Sequence, residues 1–160
     1  MQFLWVRGIL FCVRDTVSLL DIWRLQVKLI YIAGPLFSSH ERWYLERIAE
    51  ALEGAGYRTF LPHRDAGLVR PDSFEERYRI FHADVDALKA CDLCVALLTG
   101  PDHDSGTSAE LGYLYALGKP CFGITDDKRA YLNNIVWGIC DYGKRVVRTI
   151  DELLEMVRGA

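Results

Sequence analysis

The chain has 160 residues, 51% of them hydrophobic, and a net charge of -3 with acidic and basic residues interspersed. That is the length of one domain, with enough apolar side chain to bury a proper core. No basic stripe marks a nucleic-acid surface and no acidic run marks a disordered tail, so a small-molecule site is the first expectation.

The opening stretch, MQFLWVRGILFCVRDTVSLLDIWRLQVK, is apolar in bursts but broken by Arg7, Arg14, Asp15, Asp21 and Arg24. It lacks the roughly 18 uninterrupted apolar residues of a membrane span and the cleavage site of a signal peptide. Two readings remain, an amphipathic helix from about Asp15 to Gln26 or an extension outside the domain proper. Residues 1–27 are therefore set apart as an extension of unknown role, and 28–160 as the domain.

From Lys28 the chain alternates short apolar runs with longer segments of helical spacing. KLIYIAG, YRTFLP, DLCVALLTG and KPCFGIT read as buried parallel strands: short, rich in β-branched and aromatic residues, and followed by Gly or Pro. SSHERWYLERIAEALEGAG, PDSFEERYRIFHADVDALKAC and TSAELGYLYALG read as the helices between them, the first with Trp43, Ile48, Ala51 and Leu52 on one face. KRVVRTI and DELLEMVRG complete the series as a last strand and helix. This alternation predicts an α/β, doubly wound (flavodoxin- or Rossmann-like) parallel sheet of about five strands flanked by helices. Ligands of such sheets sit at the carboxyl ends of the strands, which nominates the loops AGPLFSS, PHRDAG, TGPDHDSGTS and TDDKRAYLNN.

Of the five cysteines, Cys91, Cys94, Cys121 and Cys140 lie in or beside apolar runs, as reduced core thiols do, and the expected compartment is cytoplasmic. Cys91 and Cys94 form a CxxC, but the sequence continues into a strand rather than a helix, so two packed thiols are expected instead of a redox pair. His63, His82 and His103 share no ligand spacing, and Asp102-His103-Asp104 would need further ligands, so no metal is expected. AGPLFSS has neither GxGxxG nor GxxxxGK[ST], and no G-x-S-x-G elbow occurs. No cofactor is expected.

Glu110 is the acid that stands out. Thr107-Ser108-Ala109-Glu110 fits a capping box, in which the glutamate reaches back to the cap's own backbone N–H. Yet Asp102 and Asp104 share its loop and Asp84 lies on the preceding helix. Carboxylates gathered at one crevice split their protonation states, and such pairs suit cleavage at an anomeric carbon. Tyr31, inside the first strand, needs a partner for its hydroxyl, and a carboxylate would serve. Phe37 reads equally as core or as a platform for a ring.

IYIAGPLF, ADVDALKACDLCVALL, DSGTSAELGYLYALGKP and LNNIVWG, in that order, resemble the nucleoside 2-deoxyribosyltransferase family and its relatives, the 2'-deoxynucleoside 5'-monophosphate N-glycosidases. The resemblance runs from about Lys28 to the C-terminus. It implies that Glu110 is a nucleophile forming a glycosyl ester at C1', that Tyr31 orients it, and that Asp84 and Asp104 handle the base and its proton. It implies a substrate site at Gly34, Phe37, Asp102, Gly106 and Asn133, the last donated across a subunit interface, hence a homo-oligomer with shared active sites. The partners it implies are nucleosides or nucleotides and free bases, with no nucleic acid and no membrane. GPLFSS, Asn133 and Asp104 look more like the transferase branch, with hydrolysis of 5'-monophosphates as the alternative, since Ser38, Ser39, His40 and Arg42 could form a phosphate pocket. A non-catalytic nucleoside-binding module is the rival from another class.

Overall fold

In a computed structural model, residues 2–6, 9–13, 27–68, 73–100, 103–127 and 133–160 are described. The alternation of patterns is realised as five parallel strands in one sheet: β3 (Leu29–Ala33), β4 (Arg58–Phe60), β5 (Leu93–Leu97), β6 (Cys121–Ile124) and β7 (Val146–Val147). Two earlier strands, β1 (Gln2–Val6) and β2 (Ile9–Val13), form a separate antiparallel hairpin that the sequence reading did not foresee. The helix considered for Asp15 to Gln26 lies outside the described residues.

The strand order is β4-β3-β5-β6-β7. The chain leaves β3 for β4 on one side, then crosses back to β5 on the other, so the switch point lies between β3 and β5. Register places Tyr31 opposite Phe60 on one side and Cys94 on the other. Asp92 fixes the start of this pairing, because the Leu29 N–H donates to its carboxylate at 2.8 Å and its own N–H donates to the Leu29 carbonyl at 2.7 Å.

Helix α1 (Ser39–Gly54) follows β3, and the short α2 (Pro62–Asp65) follows β4. Next come α3 (Phe74–Ala90), α4 (Ser105–Ala116), α5 (Asn134–Ile139) and α6 (Ile150–Arg158). The buried stripe of α1 is Leu45, Ile48, Ala49 and Leu52, a spacing of i, i+3, i+4, i+7. Trp43 lies off that stripe and is exposed, which corrects the face expected from sequence. Ala51 is only partly buried.

Side chains alternate along the strands, so the sheet has two distinct cores. On one face Ile30, Ile32, Val95, Leu97, Phe122 and Ile124 pack with α1 residues and with Leu153 and Val157 of α6. On the other, Tyr31, Ala33, Cys94, Ala96 and Cys121 pack with Ala87 and Leu88 of α3, Leu111 and Leu114 of α4, and Val136 and Ile139 of α5. Cys91, Cys94, Cys121 and Cys140 are free and buried on this second face. Burial pushes the Cys94 thiol well up, the Cys121 thiol up to about 12 and the Cys140 thiol up to about 11, as in packed rather than reactive thiols. Among the described residues no helix is long and apolar enough to cross a membrane.

Candidate active site

The second core is where the acids meet. Tyr31 points into it from β3, fully buried, with its ring stacked on Phe60 at 5.6 Å between centroids and 19° between planes. Its hydroxyl donates to Glu110 Oε1 at 2.6 Å, so a residue of the first domain strand and a residue of α4 form one unit. Burial first, then the adjacent Glu110 charge, pushes the Tyr31 phenol far up, which keeps it a donor at neutral pH.

Glu110 is not the capping residue. Helix α4 starts three residues earlier than the Thr107 box implied, with Asp104 as its N-cap. Asp104 Oδ2 accepts from the Thr107 N–H at 2.8 Å and from the Thr107 hydroxyl at 3.0 Å. A Cβ at Gly106 would stand 3.0 Å from that same oxygen, so the glycine leaves room for the carboxylate to turn in. The D-x-G-T segment is thus a cap, and it frees Glu110, in the second turn, to face Tyr31 instead.

Its second-turn position also removes Glu110 from the free backbone N–H groups at the helix start. Burial dominates and pushes its carboxyl up to about 7, against the pull of the Tyr31 hydrogen bond, while Asp84 and Asp104 add to the rise. Asp84, on α3, is pushed up to about 6 by burial, and its Oδ1 is buried without a hydrogen-bond partner. The Asp84 charge opposes ionisation of Glu110, so the two acids favour a state in which one of them keeps its proton, which supplies an acid and a base at once.

The remaining residues named from sequence separate into distinct places. Gly34 follows β3, where a Cβ would come within 2.7 Å of Leu45 Cδ2 and 3.2 Å of Leu97 Cβ; its role in these contacts is to let α1 close on the sheet. Phe37 is 82% exposed, which removes the core reading for its ring. Asn133 caps α5, its Oδ1 accepting from the Ile135 N–H at 2.8 Å. Asp102 lies outside the described residues. His103, just before the cap, has both ring nitrogens buried and unpartnered, a feature that no sequence spacing announced. Phe60 was likewise missed, since its contact with Tyr31 depends on strand register.

The first loop is tied up internally. Ser38 is the N-cap of α1 in a full capping box: its hydroxyl accepts from the Glu41 N–H at 3.2 Å and its N–H donates to Glu41 Oε2 at 2.7 Å. Arg42 donates to the Leu36 carbonyl at 2.6 Å. The helix start that could attract an anion therefore already holds a carboxylate.

The family model described as nucleoside 2-deoxyribosyltransferase matches residues 30–154. An uncharacterized protein of Schizosaccharomyces pombe is 31% identical over 113 residues, covering 66% of this chain and 54% of its own, so the chain spans about half the length of that relative. Among solved structures, a conserved protein from Enterococcus faecalis superposes with a TM-score of 0.73 at 29% identity, covering 83% of this chain and 98% of that one. A 2-deoxyribosyltransferase from Bacillus psychrosaccharolyticus gives 0.69 at 24% identity, with 79% and 90% covered. A CMP N-glycosidase from Clostridium botulinum gives 0.55 at 21% identity, with 82% and 99% covered. At their levels of identity the last two are likenesses of fold.

Proposed function

We propose, from the premise that this chain belongs to the nucleoside 2-deoxyribosyltransferase family, that it transfers 2-deoxyribose between nucleobases through a glycosyl ester on Glu110. The observation that carries this reading is the half-buried Glu110 carboxyl held by the Tyr31 hydroxyl at 2.6 Å. The ionised Glu110 attacks C1' of the nucleoside, the C1'–N bond breaks, and its electron pair leaves with the base, which takes a proton from Asp84. A second base then attacks C1' from the opposite side, gives its proton to Asp84 and releases Glu110. Two inversions give retention. Tyr31 engages one carboxylate oxygen and leaves the other for attack. Asp104 tunes the charge around Glu110 while holding the helix start.

The working state needs Glu110 ionised and Asp84 protonated. With Glu110 at about 7 and Asp84 at about 6 this is the minor of the two one-proton forms, and kcat/KM should follow a low, narrow bell between these values, its alkaline limb moving with Glu110. The internal bonding of Ser38, Glu41 and Arg42 supports a free 5'-hydroxyl over a 5'-phosphate as the group lying against the first loop. In this reading Phe37 supplies the ring that packs on a base, and Gly34, Asp102 and Gly106 complete the substrate contacts. A homo-oligomer, with Asn133 reaching a neighbour's sugar, accords with the large exposed apolar side chains Ile135 and Trp137 beside it.

Chromatography of the protein incubated with thymidine and adenine tests the reading, beside deoxynucleoside 5'-monophosphates alone and a Glu110→Gln control for each. New deoxyadenosine and free thymine establish base exchange. Free base from the monophosphate tube alone makes the protein a hydrolase, and no change in either tube leaves a binding module.

A further inference from the structure

The G-K-P of DSGTSAELGYLYALGKP has no part in the chemistry above, yet it occupies a telling position. Helix α4 ends in a Schellman arrangement: the Gly118 N–H donates to the Tyr115 carbonyl at 3.0 Å, the Lys119 N–H donates to the Leu114 carbonyl at 3.0 Å, and Gly118 takes φ of 71°. Pro120 then enters the sheet, its carbonyl accepting from the Cys94 N–H at 2.9 Å. Lys119 is thus fixed at both neighbours. Its half-buried side chain turns back onto α3. Nζ donates to the Leu88 carbonyl at 2.8 Å and to the Lys89 carbonyl at 2.5 Å, and sits 4.0 Å from Cys91 Sγ. Those are carbonyls of the last turn of α3, which the helix itself leaves unsatisfied and where its dipole favours a cation.

The two helices joined in this way are the two that carry the acids. Asp84 lies four residues before Leu88 on α3, about 6 Å along the axis, and Glu110 lies on the helix that Lys119 terminates. We propose that Lys119 is a positioning residue, a clasp between the ends of α3 and α4 that sets the separation of Asp84 and Glu110. The proposal rests on the reading of those two acids as the reacting pair. Among the described residues, the ionisable groups that act on them are Tyr31 of β3, Cys94 of β5 and the Asp104 cap, and α5 brings none. Loosening α3 changes the burial of Asp84 without removing any of these groups.

The test compares Lys119→Met, which keeps the stem and loses the donors, with Lys119→Arg, which restores donors. Base release is measured across pH, and the Asp84 and Glu110 carboxyls are titrated by carbon NMR, a readout that needs no turnover. We expect Lys119→Met to lose roughly ten- to hundredfold in kcat with KM little changed. The Asp84 titration should fall toward the ordinary carboxylate range, and Lys119→Arg should recover both. A lowered Tm with unchanged kcat and unchanged titrations in Lys119→Met would overturn the clasp. Failure of the nucleophile reading would show separately, as normal turnover in Glu110→Gln.

Discussion

The two faces of the sheet are built from the same strands and do different work. Toward α1 and α6 the strands present Ile30, Ile32, Val95, Leu97, Phe122 and Ile124, large side chains that fill the layer without polar atoms. Toward α3, α4 and α5 the same strands present Tyr31, Ala33, Cys94, Ala96 and Cys121, mostly small. The small side chains leave depth for one phenol and for carboxyls hung from the covering helices. One face stabilises the fold, and the other gives up dispersion contacts to hold ionisable groups out of water. That difference can be broken from either side.

The largest effect is expected on the acidic face. Glu110→Gln should lower base release by about 10³-fold or more while keeping the fold, since an amide preserves the shape. It should also remove a pH dependence of stability. The Glu110 pKa rises on folding from 4.5 to about 7, so the native state holds the proton longer than the unfolded chain. Stability from this group is complete below the unfolded value and is lost as pH rises through about 7, by on the order of 3 kcal/mol. Thermal unfolding between pH 4 and pH 8, roughly the span of those values, should slope downward in the parent and less so in the variant.

On the apolar face, Leu52→Ala should cost about 2–5 kcal/mol in denaturant unfolding and leave the shape of the pH profile intact. A changed profile would mean that the two faces are mechanically coupled.

Tyr31→Phe sharpens the contrast, because it deletes only an oxygen. Losing that donor should raise the Glu110 pKa further, cost roughly tenfold or more in kcat/KM below neutrality and move the alkaline limb to higher pH. An unmoved alkaline limb would remove Tyr31 from the ionisation of Glu110.

The smallest effect belongs to Asp104, where capping and charge can be separated. Asp104→Asn keeps a good cap and should hold Tm, whereas Asp104→Ala should cost about 1 kcal/mol. Both remove a negative charge near Glu110 and should lower its pKa slightly.

The pairing of Tyr31 with a carboxylate was legible in the sequence, and most of the candidate site's geometry was not. Tyr31 was expected to need a carboxylate, and the bond to Glu110 meets that need. The capping box at Thr107 was misplaced by three residues because D-x-G-T and T-x-x-E both satisfy cap chemistry locally, and only the contact of Glu110 with a strand 79 residues away decides between them. Trp43 was put on the buried face of α1 from its apolar character, but the stripe is set by where β3, β5 and α6 stand.

By itself, the sequence determined the alternation of strands and helices, the five-stranded parallel sheet and the loops at its carboxyl edge. Periodicity and turn residues act within a few positions of one another, so they can be read along the chain. The tertiary structure alone decided that Phe60 would stack on Tyr31, that one oxygen of the half-buried Asp84 would be enclosed without a partner, and that Lys119 would close over the end of α3. Those outcomes depend on strand order and helix approach, which bring together residues separated by tens of positions. Burial, which sets the ionisation of the acids, is a property of that assembly and not of any segment.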